Sequence, residues 1–181
     1  MNKKFTGKKS NPITIRSKKW IADSLLELMR IKPYNDITIK EIASNADLVR
    51  QTVYRNFKSK DAILEYYVSD FLDKFTNVVS TKEKITLYDL VVTYFEYWFN
   101  NKELLELLIK NDVYIKLLDI HLKYMENIGS DPKIARLIKM PKSANGNYLN
   151  HFSAGGLWFT VKKWIEDDTI IPPHEMAKTV L

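Results

Sequence analysis

Residues 50 to 58 carry polar side chains whose types and spacing suit contact with a nucleic acid. Val49, Val53 and Phe57 recur every four residues, so they share one face of a predicted helix. The side chains that this leaves on the outer faces are Arg50, Gln51, Thr52, Tyr54, Arg55 and Lys58. Arginine and glutamine form paired hydrogen bonds with base edges in the major groove of DNA. The pattern therefore predicts a short helix that is anchored on one side and contacts DNA on the other.

The residues before this helix predict a second short helix and a tight turn. Thr38 and Glu41 have the spacing of a capping box, which begins a helix. Asp47 and Leu48 form the predicted turn, because aspartate tolerates a left-handed backbone better than most residues. The apolar face between cap and turn consists of Ile42, Ala43 and Ala46. Two such helices form a helix-turn-helix, which places its second helix in the major groove.

The segment from Thr38 to Lys60 resembles the DNA-binding signature of TetR/AcrR-type transcriptional regulators. The matching positions are Thr38, Glu41, Ile42, Ala43, Ala46, Thr52, Tyr54, Phe57 and Lys60. Asp47 departs from the family pattern, which has glycine in the turn, and Val49 stands where serine or threonine caps the second helix. The resemblance implies a homodimeric repressor that binds a palindromic double-stranded DNA operator and senses a small-molecule inducer or co-effector.

The candidate DNA contacts fall into two groups. Contacts to bases are expected from Arg50, Gln51 and Arg55. Contacts to phosphates, which fix position and not sequence, are expected from Thr38, Tyr54 and Lys60. Thr52 is expected to touch a thymine methyl group or a phosphate, and Lys58 completes the predicted surface.

The distribution of charge supports this interpretation. The 181-residue chain has a net charge of +6. Residues 1–60 hold 14 basic and 5 acidic side chains, a net charge of +9, and the remaining residues carry −3. An evenly basic protein would not divide in this way, whereas a nucleic-acid contact in the first third would.

Several other functional classes find no support in the sequence. Cysteine is absent, which excludes disulfides and thiolate metal sites. His121, His151 and His174 lack metal-ligand spacing, and we expect the first two to be hydrogen-bonded core residues or surface residues. No nucleophile elbow or phosphate-binding glycine loop occurs, so we expect no enzyme, metal or cofactor. No apolar run approaches a membrane span, so we expect a cytoplasmic protein without membrane contact.

Helical periodicity along the chain predicts an all-α fold. The family resemblance implies that a three-helix head is joined by a long helix, ending near Ser80, to a C-terminal ligand-binding and dimerisation bundle. We predict a flexible basic arm at 1–13, a helix-turn-helix domain at 14–75 and a regulatory domain at 76–181. The predicted helices outside the helix-turn-helix cover residues 15–30, 59–80, 87–100, 102–110, 113–128, 133–140, 147–167 and 174–181.

The C-terminal region offers candidates for a ligand pocket and a dimer contact. Aromatic residues that would line an apolar pocket, or form plain core, are Tyr94, Trp98, Tyr114, Tyr124 and Phe152. Two glycines inside a predicted helix indicate either a kink or the close approach of another backbone. Family resemblance implies a four-helix dimer contact there, with Gly155, Gly156, Phe159 and Trp164. Residues 155–164 also resemble a subgroup that includes a regulator of dihydroxyacetone kinase genes.

Two alternatives remain open at this stage. A regulator-like protein could act mainly through a protein partner and bind DNA weakly. An enzyme in the helical C-terminal region would need a titratable cluster in a cavity, and the sequence offers no obvious one.

Overall fold

A computed structural model describes residues 12–82, 85–130 and 146–181. The described residues form α-helices and two short 3-10 turns, without a β-strand, which confirms the all-α prediction. The helices are α1 Pro12–Ile31, α2 Ile39–Asn45, α3 Arg50–Asn56, α4 Lys60–Ser80, α5 Leu87–Phe99, α6 Lys102–Lys110, α7 Leu118–Ser130, α8 Gly146–Glu166 and α9 Pro173–Val180. Most of the predicted basic arm and the predicted helix at 133–140 lie outside the described residues.

The chain divides into two compact units between Tyr67 and Val68. We call the described part of the first unit the head and that of the second unit the body. Helix α4 begins in the head and continues into the body. The predicted domain boundary at residue 75 lies within this helix. None of the described helices is long and apolar enough to cross a lipid bilayer.

In the head, α1, α2 and α3 pack on one another around a small apolar core. The core side chains include Ile21, Leu25, Met29, Ile42 and Val53. The hydroxyl of the buried Ser24 donates to the Ile42 carbonyl of α2 at 2.9 Å, so a polar bond joins α1 to α2. Helix α1 begins at Pro12, earlier than the predicted residue 15, because proline suits the first position of a helix.

The predicted capping box opens α2. The Thr38 amide donates to the Glu41 carboxylate at 2.9 Å, and the Glu41 amide donates to the Thr38 hydroxyl at 3.3 Å. Thr86 and Asp89 repeat this arrangement at the start of α5. Both motifs satisfy amide groups that the first turn of a helix leaves without partners.

Asp47 takes the left-handed conformation predicted for the turn, with a φ of 53°. The Leu48 amide donates to the Ala43 carbonyl at 2.9 Å, and the Asp47 amide donates to the Ser44 carbonyl at 3.2 Å. These two bonds form a Schellman motif, in which glycine usually occupies the left-handed position. The turn between α2 and α3 therefore has the geometry of the family pattern although it lacks the glycine.

A Schellman motif also ends α6 and α8. Asp112 and Asp168 follow these helices with φ values of 56° and 57°. The Val113 amide donates back to Leu108 of α6 at 3.1 Å. Because Val113 closes α6 in this way, it does not begin the next helix, and the prediction of one helix over 113–128 is wrong at its start. A 3-10 turn at Ile115–Leu117 comes first, and α7 begins at Leu118.

The body packs its helices in two groups. Helix α9 lies against α5, and α7 lies against α8, while α6 contacts both α5 and α8. The largest side chains sealed between them are those of Trp98, Trp158, Tyr114 and Phe95. Tyr114 and Trp158 stack with ring centroids 4.2 Å apart. Large aromatic side chains thus supply much of the apolar area that holds this unit together.

The turn at Asp47 gives a stability prediction. Replacing Asp47 by glycine should raise the free energy of unfolding by about 0.5–1 kcal/mol, because the relieved left-handed strain exceeds the entropy cost of glycine. Replacing it by alanine should lower that free energy, since alanine cannot bond to the local backbone as aspartate does. Urea unfolding followed by circular dichroism measures both changes. Equal stability of all three proteins would contradict the proposed strain.

Candidate nucleic-acid interface

Two of the three residues whose spacing predicted an anchoring face hold α3, and the third, Val49, does not. Val53 is 0% exposed and Phe57 is 7% exposed, so both belong to the head core as expected. Phe57 also packs edge-on against Tyr66 of α4, with ring centroids 5.4 Å apart. Val49 is 68% exposed and stands just before the helix. Two buried residues one turn apart therefore fix which face of α3 looks outward.

The outward face carries the predicted DNA-contact residues. The exposed side chains are those of Arg50, Gln51, Tyr54, Arg55 and Lys58, and Thr52 is half-buried. Within the described part of the chain, Arg50, Arg55 and Lys58 have no acidic partner. Three unpaired cations around one short helix can attract and contact an anionic partner at little internal cost.

The start of α3 has no side-chain cap. Val49 occupies the N-cap position and has no side-chain oxygen that could accept an amide bond. The Thr52 amide donates instead to the Val49 carbonyl at 2.9 Å. A missing cap of this kind costs about 1 kcal/mol. Packing of Val53 and Phe57 must therefore compensate for a weak helix start.

The side chain of Lys60 does not extend freely into solvent, as a phosphate contact would require. Its ammonium group donates to the carbonyls of Tyr34, Asn35 and Ile37, the last at 2.8 Å. It also lies 4.3 Å from the centroid of the Tyr34 ring. Lys60 therefore ties the first turn of α4 to the segment before α2. Its predicted phosphate contact would have to share an ammonium group that is already hydrogen-bonded.

A tyrosine–aspartate bond reinforces this tie. The Tyr34 hydroxyl donates to the Asp61 carboxylate at 2.5 Å, and burial raises the pKa of Tyr34. Tyr34 is closed from solvent, while Asp61 stays at the surface. Sequence reasoning missed this contact because the two residues lie far apart in the chain. Lys60 and Asp61, at the start of α4, therefore both bond to the segment that precedes the helix-turn-helix and hold it in place.

A second ionic contact lies at the capping box. The Lys32 ammonium donates to the Glu41 carboxylate at 2.6 Å and to the Asp36 carbonyl at 2.9 Å. The bond from Lys32, and then the bonds from Thr38, lower the pKa of Glu41 to about 2. Thr38, a predicted phosphate contact, is therefore already engaged as a cap.

Three of the five predicted pocket residues come together in the body. Tyr94, Trp98 and Tyr114 are buried, and the rings of Trp98 and Tyr114 both pack on Trp158. Tyr124 is half-buried, and its hydroxyl bonds to Ser69 and Asp73 at 3.0 and 2.7 Å.

Phe152 lies apart from this cluster, and its side chain is 79% exposed. The reason is the helical period. The buried positions of α8 are Ala154, Trp158, Val161 and Ile165, and residue 152 falls on the opposite face. Phe152 therefore does not line the interior of the body as expected.

The predicted dimer residues divide between surface and interior. Phe159 is half-exposed, and a methyl group built on Gly155 or Gly156 would meet no described residue within 4 Å. Trp164 instead is buried against Phe95 and donates to the Ile171 carbonyl at 2.8 Å, so little of it is available to a partner. Phe159 and Trp164 both line a surface groove of about 740 Å³.

The histidines divide in a way that the sequence did not indicate. His151 and His174 are exposed, and the His151 ring lies 3.6 Å from the Glu126 carboxylate. His121 is 0% exposed, so it is a core residue as expected. The Ala154 backbone lies beside its ring, but no hydrogen bond of good geometry from the described residues reaches either ring nitrogen. The described residues contain no group of side chains that could hold a metal ion.

Residues 21–67 match the family model described as bacterial regulatory proteins, tetR family. The head is therefore similar to the DNA-binding part of tetR-family regulators. The match covers α2, α3, most of α1 and the first part of α4. It includes every residue predicted to contact DNA.

Comparisons with individual proteins agree with this assignment. Over 73 residues the chain is 32% identical to the uncharacterized HTH-type transcriptional regulator YvkB of Bacillus subtilis (strain 168). This alignment covers 40% of the chain and 39% of that relative, so it spans about two fifths of the relative's length.

Two solved structures resemble this chain in fold over most of its length. One is a tetR-family transcriptional regulator from Streptomyces coelicolor, with a TM-score of 0.59, 17% identity and coverage of 90% of this chain and 78% of that one. The other is NalD, the secondary repressor of the MexAB-OprM multidrug efflux pump in Pseudomonas aeruginosa, with a TM-score of 0.56, 16% identity and coverage of 93% and 94%.

The lowered pKa of Glu41 gives a pH-dependent prediction for the head. Because its folded pKa of about 2 lies below its ordinary 4.5, Glu41 stabilises the fold above pH 4.5, and this contribution disappears as the pH falls towards 2. Glu41→Gln should therefore reduce stability at pH 6, and the difference from the unaltered protein should shrink on acidification. Thermal unfolding between pH 6 and pH 2.5 measures this difference. Lys32→Met, which removes the main cause, should behave in the same way, and a pH-independent difference would contradict the assignment.

Proposed function

We propose that this protein is a DNA-binding transcriptional repressor that acts as a homodimer and responds to a small-molecule effector. The observation that carries the proposal is the outward face of α3, where exposed arginine, glutamine, tyrosine and lysine side chains stand opposite the buried Val53 and Phe57. A helix of this size fits the major groove. The family match of the head supports the same function.

The proposed division of labour follows from side-chain chemistry and position. Arg50, Gln51 and Arg55 contact base edges and give sequence preference. The residues proposed for phosphate contact are Thr38, Thr52, Tyr54, Lys58 and Lys60. The side chains of Thr38 and Lys60 are less free to contact a phosphate than the others, because both already form hydrogen bonds within the head.

The base contacts can be tested against selected DNA duplexes. Arg50→Ala should weaken binding to the best selected sequence by about 1–3 kcal/mol, and should weaken binding to unrelated sequences much less. Lys58→Ala should weaken binding to all sequences alike and reduce the salt dependence by about one unit of slope. Lys123→Ala, on the body surface, should change neither quantity. Fluorescence anisotropy titrations at several salt concentrations provide the measurement.

The same titrations separate the main proposal from its alternative. A protein that works chiefly through a protein partner would show weak affinity that is equal for all duplexes. That result, together with an unchanged affinity for Arg50→Ala, would contradict base recognition by α3. The uncapped start of α3 is the observation that gives this alternative its weight.

We propose that the exposed apolar face of α8 joins two subunits. Phe159 and the two glycines lie on this face, and none of the residues that the structure describes fills the space beside either glycine. A glycine in a helix costs about 1 kcal/mol relative to alanine, so its presence here needs a compensating gain. The approach of a second backbone would supply that gain, and Trp164 would support the interface from within.

A single substitution tests this interface. Gly156→Leu adds a side chain into space that is open within the chain, so the subunit should fold and its helix should gain propensity. The added bulk should nevertheless separate the dimer at micromolar concentrations, as sedimentation velocity would show. Glu103→Leu adds the same side chain on the exposed surface of α6 and should leave the dimer intact. A stable Gly156→Leu dimer would place the interface elsewhere.

The effector site is proposed for the interior of the body, around Tyr94, Trp98 and Tyr114. A bound effector shifts the protein between DNA-binding and released states only if it binds the two states unequally. We propose regulation and not catalysis as the activity of the body, with a cytoplasmic location as the corresponding expectation. Membership of the dihydroxyacetone kinase regulator subgroup stays a prediction.

A further inference from the structure

Three neighbouring rings in the body carry polar atoms to which the described residues make no hydrogen bond of good geometry. They are Tyr94 of α5, His121 of α7 and Trp158 of α8, and we call them the polar centre. The His121 ring stacks on Trp158 with centroids 4.4 Å apart and lies 5.8 Å from the Tyr94 ring. All three side chains are closed from solvent. Each ring comes from a different helix, so only the folded body brings them together.

The unpartnered atoms are the Tyr94 hydroxyl, both ring nitrogens of His121 and the Trp158 indole nitrogen. Among the described residues no hydrogen bond of good geometry reaches any of these atoms; the Ala154 backbone lies beside the His121 ring and the Trp98 indole beside the Tyr94 hydroxyl, but neither is aligned for a good bond. Buried polar groups in proteins are nearly always hydrogen-bonded. The four atoms lie on adjoining rings and form one connected group. Imperfect packing at one position would instead leave an isolated atom without a good hydrogen bond.

The surroundings of the polar centre are aromatic and uncharged. Trp98 and Tyr114 pack against Trp158, and the Tyr114 hydroxyl is already used, since it donates to the Trp158 carbonyl at 2.7 Å. Among the described residues of the body, no lysine, arginine, aspartate or glutamate is buried. The residues facing His121 are Tyr94, Ala154 and Trp158, none of which carries a charge.

The polar centre contains both hydrogen-bond donors and hydrogen-bond acceptors. Burial lowers the pKa of His121 to about 3, so its ring is neutral near pH 7, with one donor nitrogen and one acceptor nitrogen. The Tyr94 hydroxyl both donates and accepts, and the indole of Trp158 only donates. A matching ligand group must therefore accept and donate hydrogen bonds and need not carry a charge.

We propose that the polar centre binds the hydroxyl-type group of an uncharged effector that contains a flat ring. The aromatic lining suits a ring, and the unpartnered atoms suit one group that both donates and accepts. A carboxylate or ammonium group would lose its hydration without gaining a charged partner. A hydrocarbon would leave the buried atoms unsatisfied. This inference rests on the proposed ligand response of the body and specifies the chemical class of its effector.

Binding at the polar centre is coupled to a change of conformation. Because solvent does not reach the three rings, a ligand enters only when α5, α7 and α8 separate. The ligand then stabilises the separated arrangement over the closed one.

Four probes of similar shape test the chemical class on the full-length protein at pH 7: benzyl alcohol, toluene, benzoate and benzylamine. Saturation-transfer NMR and titration calorimetry measure binding. Benzyl alcohol should bind at least tenfold more tightly than each of the other three. Equal binding of benzyl alcohol and toluene, or tighter binding of either charged probe, would overturn the proposal.

Two substitutions locate the site. Tyr94→Phe removes one unpartnered hydroxyl, so it should raise the melting temperature of the free protein and weaken benzyl alcohol at least fivefold. Tyr97→Phe, on the same helix, removes a hydroxyl that donates to the Phe71 carbonyl at 2.8 Å. This control should lower the melting temperature and leave benzyl alcohol binding unchanged. A lower melting temperature for Tyr94→Phe, or unaltered probe affinity, would overturn the proposal.

The design separates failure of this inference from failure of the proposed function. DNA binding of the unliganded protein is measured independently by anisotropy. Sequence-specific DNA binding without any preference for benzyl alcohol would retain the regulator and overturn the polar centre as its effector site. Preferred binding of benzyl alcohol, lost in Tyr94→Phe, would support the polar centre even if the protein bound no specific DNA.

Discussion

The burial of Val53 and Phe57 is the constraint on which the head depends. A seven-residue helix is too short to be stable alone in water, and α3 also lacks a side-chain cap. Tertiary packing must therefore provide nearly all of its stability. Packing through these two residues also decides the orientation of α3, because the side chains that face away from the core form the surface for which we propose DNA contact. Stability and recognition thus follow from the same contact.

The head and the body treat their buried polar groups differently. In the head, the Ser24 hydroxyl, the Tyr34 hydroxyl and the Lys60 ammonium all have partners. In the body, no hydrogen bond of good geometry from the described residues reaches four polar atoms of His121, Tyr94 and Trp158. Each such atom costs about 1–3 kcal/mol, so the closed body is less stable than a fully satisfied one. A satisfied head is suited to rigid docking, and an unsatisfied interior is suited to accept a ligand.

Helix α8 illustrates how one element serves two purposes. Its buried face supplies Trp158 to the interior, while its outer face presents Phe152, the two glycines and Phe159. A change in the packing of Trp158 would displace the outer face as well, because helices move largely as rigid bodies. This arrangement provides a physical route between the ligand proposed for the interior and the partner subunit proposed for the surface.

The sequence by itself determined the all-α class, the capping box, the left-handed turn at Asp47 and the outward face of α3. These features depend on periodicity and on contacts within a few residues, which a single sequence displays. Only the tertiary structure decided that Lys60 is bound to carbonyls, that Trp164 is buried and Phe152 exposed, and that His121 is closed from solvent beside Tyr94 and Trp158. Such outcomes depend on which helices meet and at what rotation, and spacing within one helix does not contain that information.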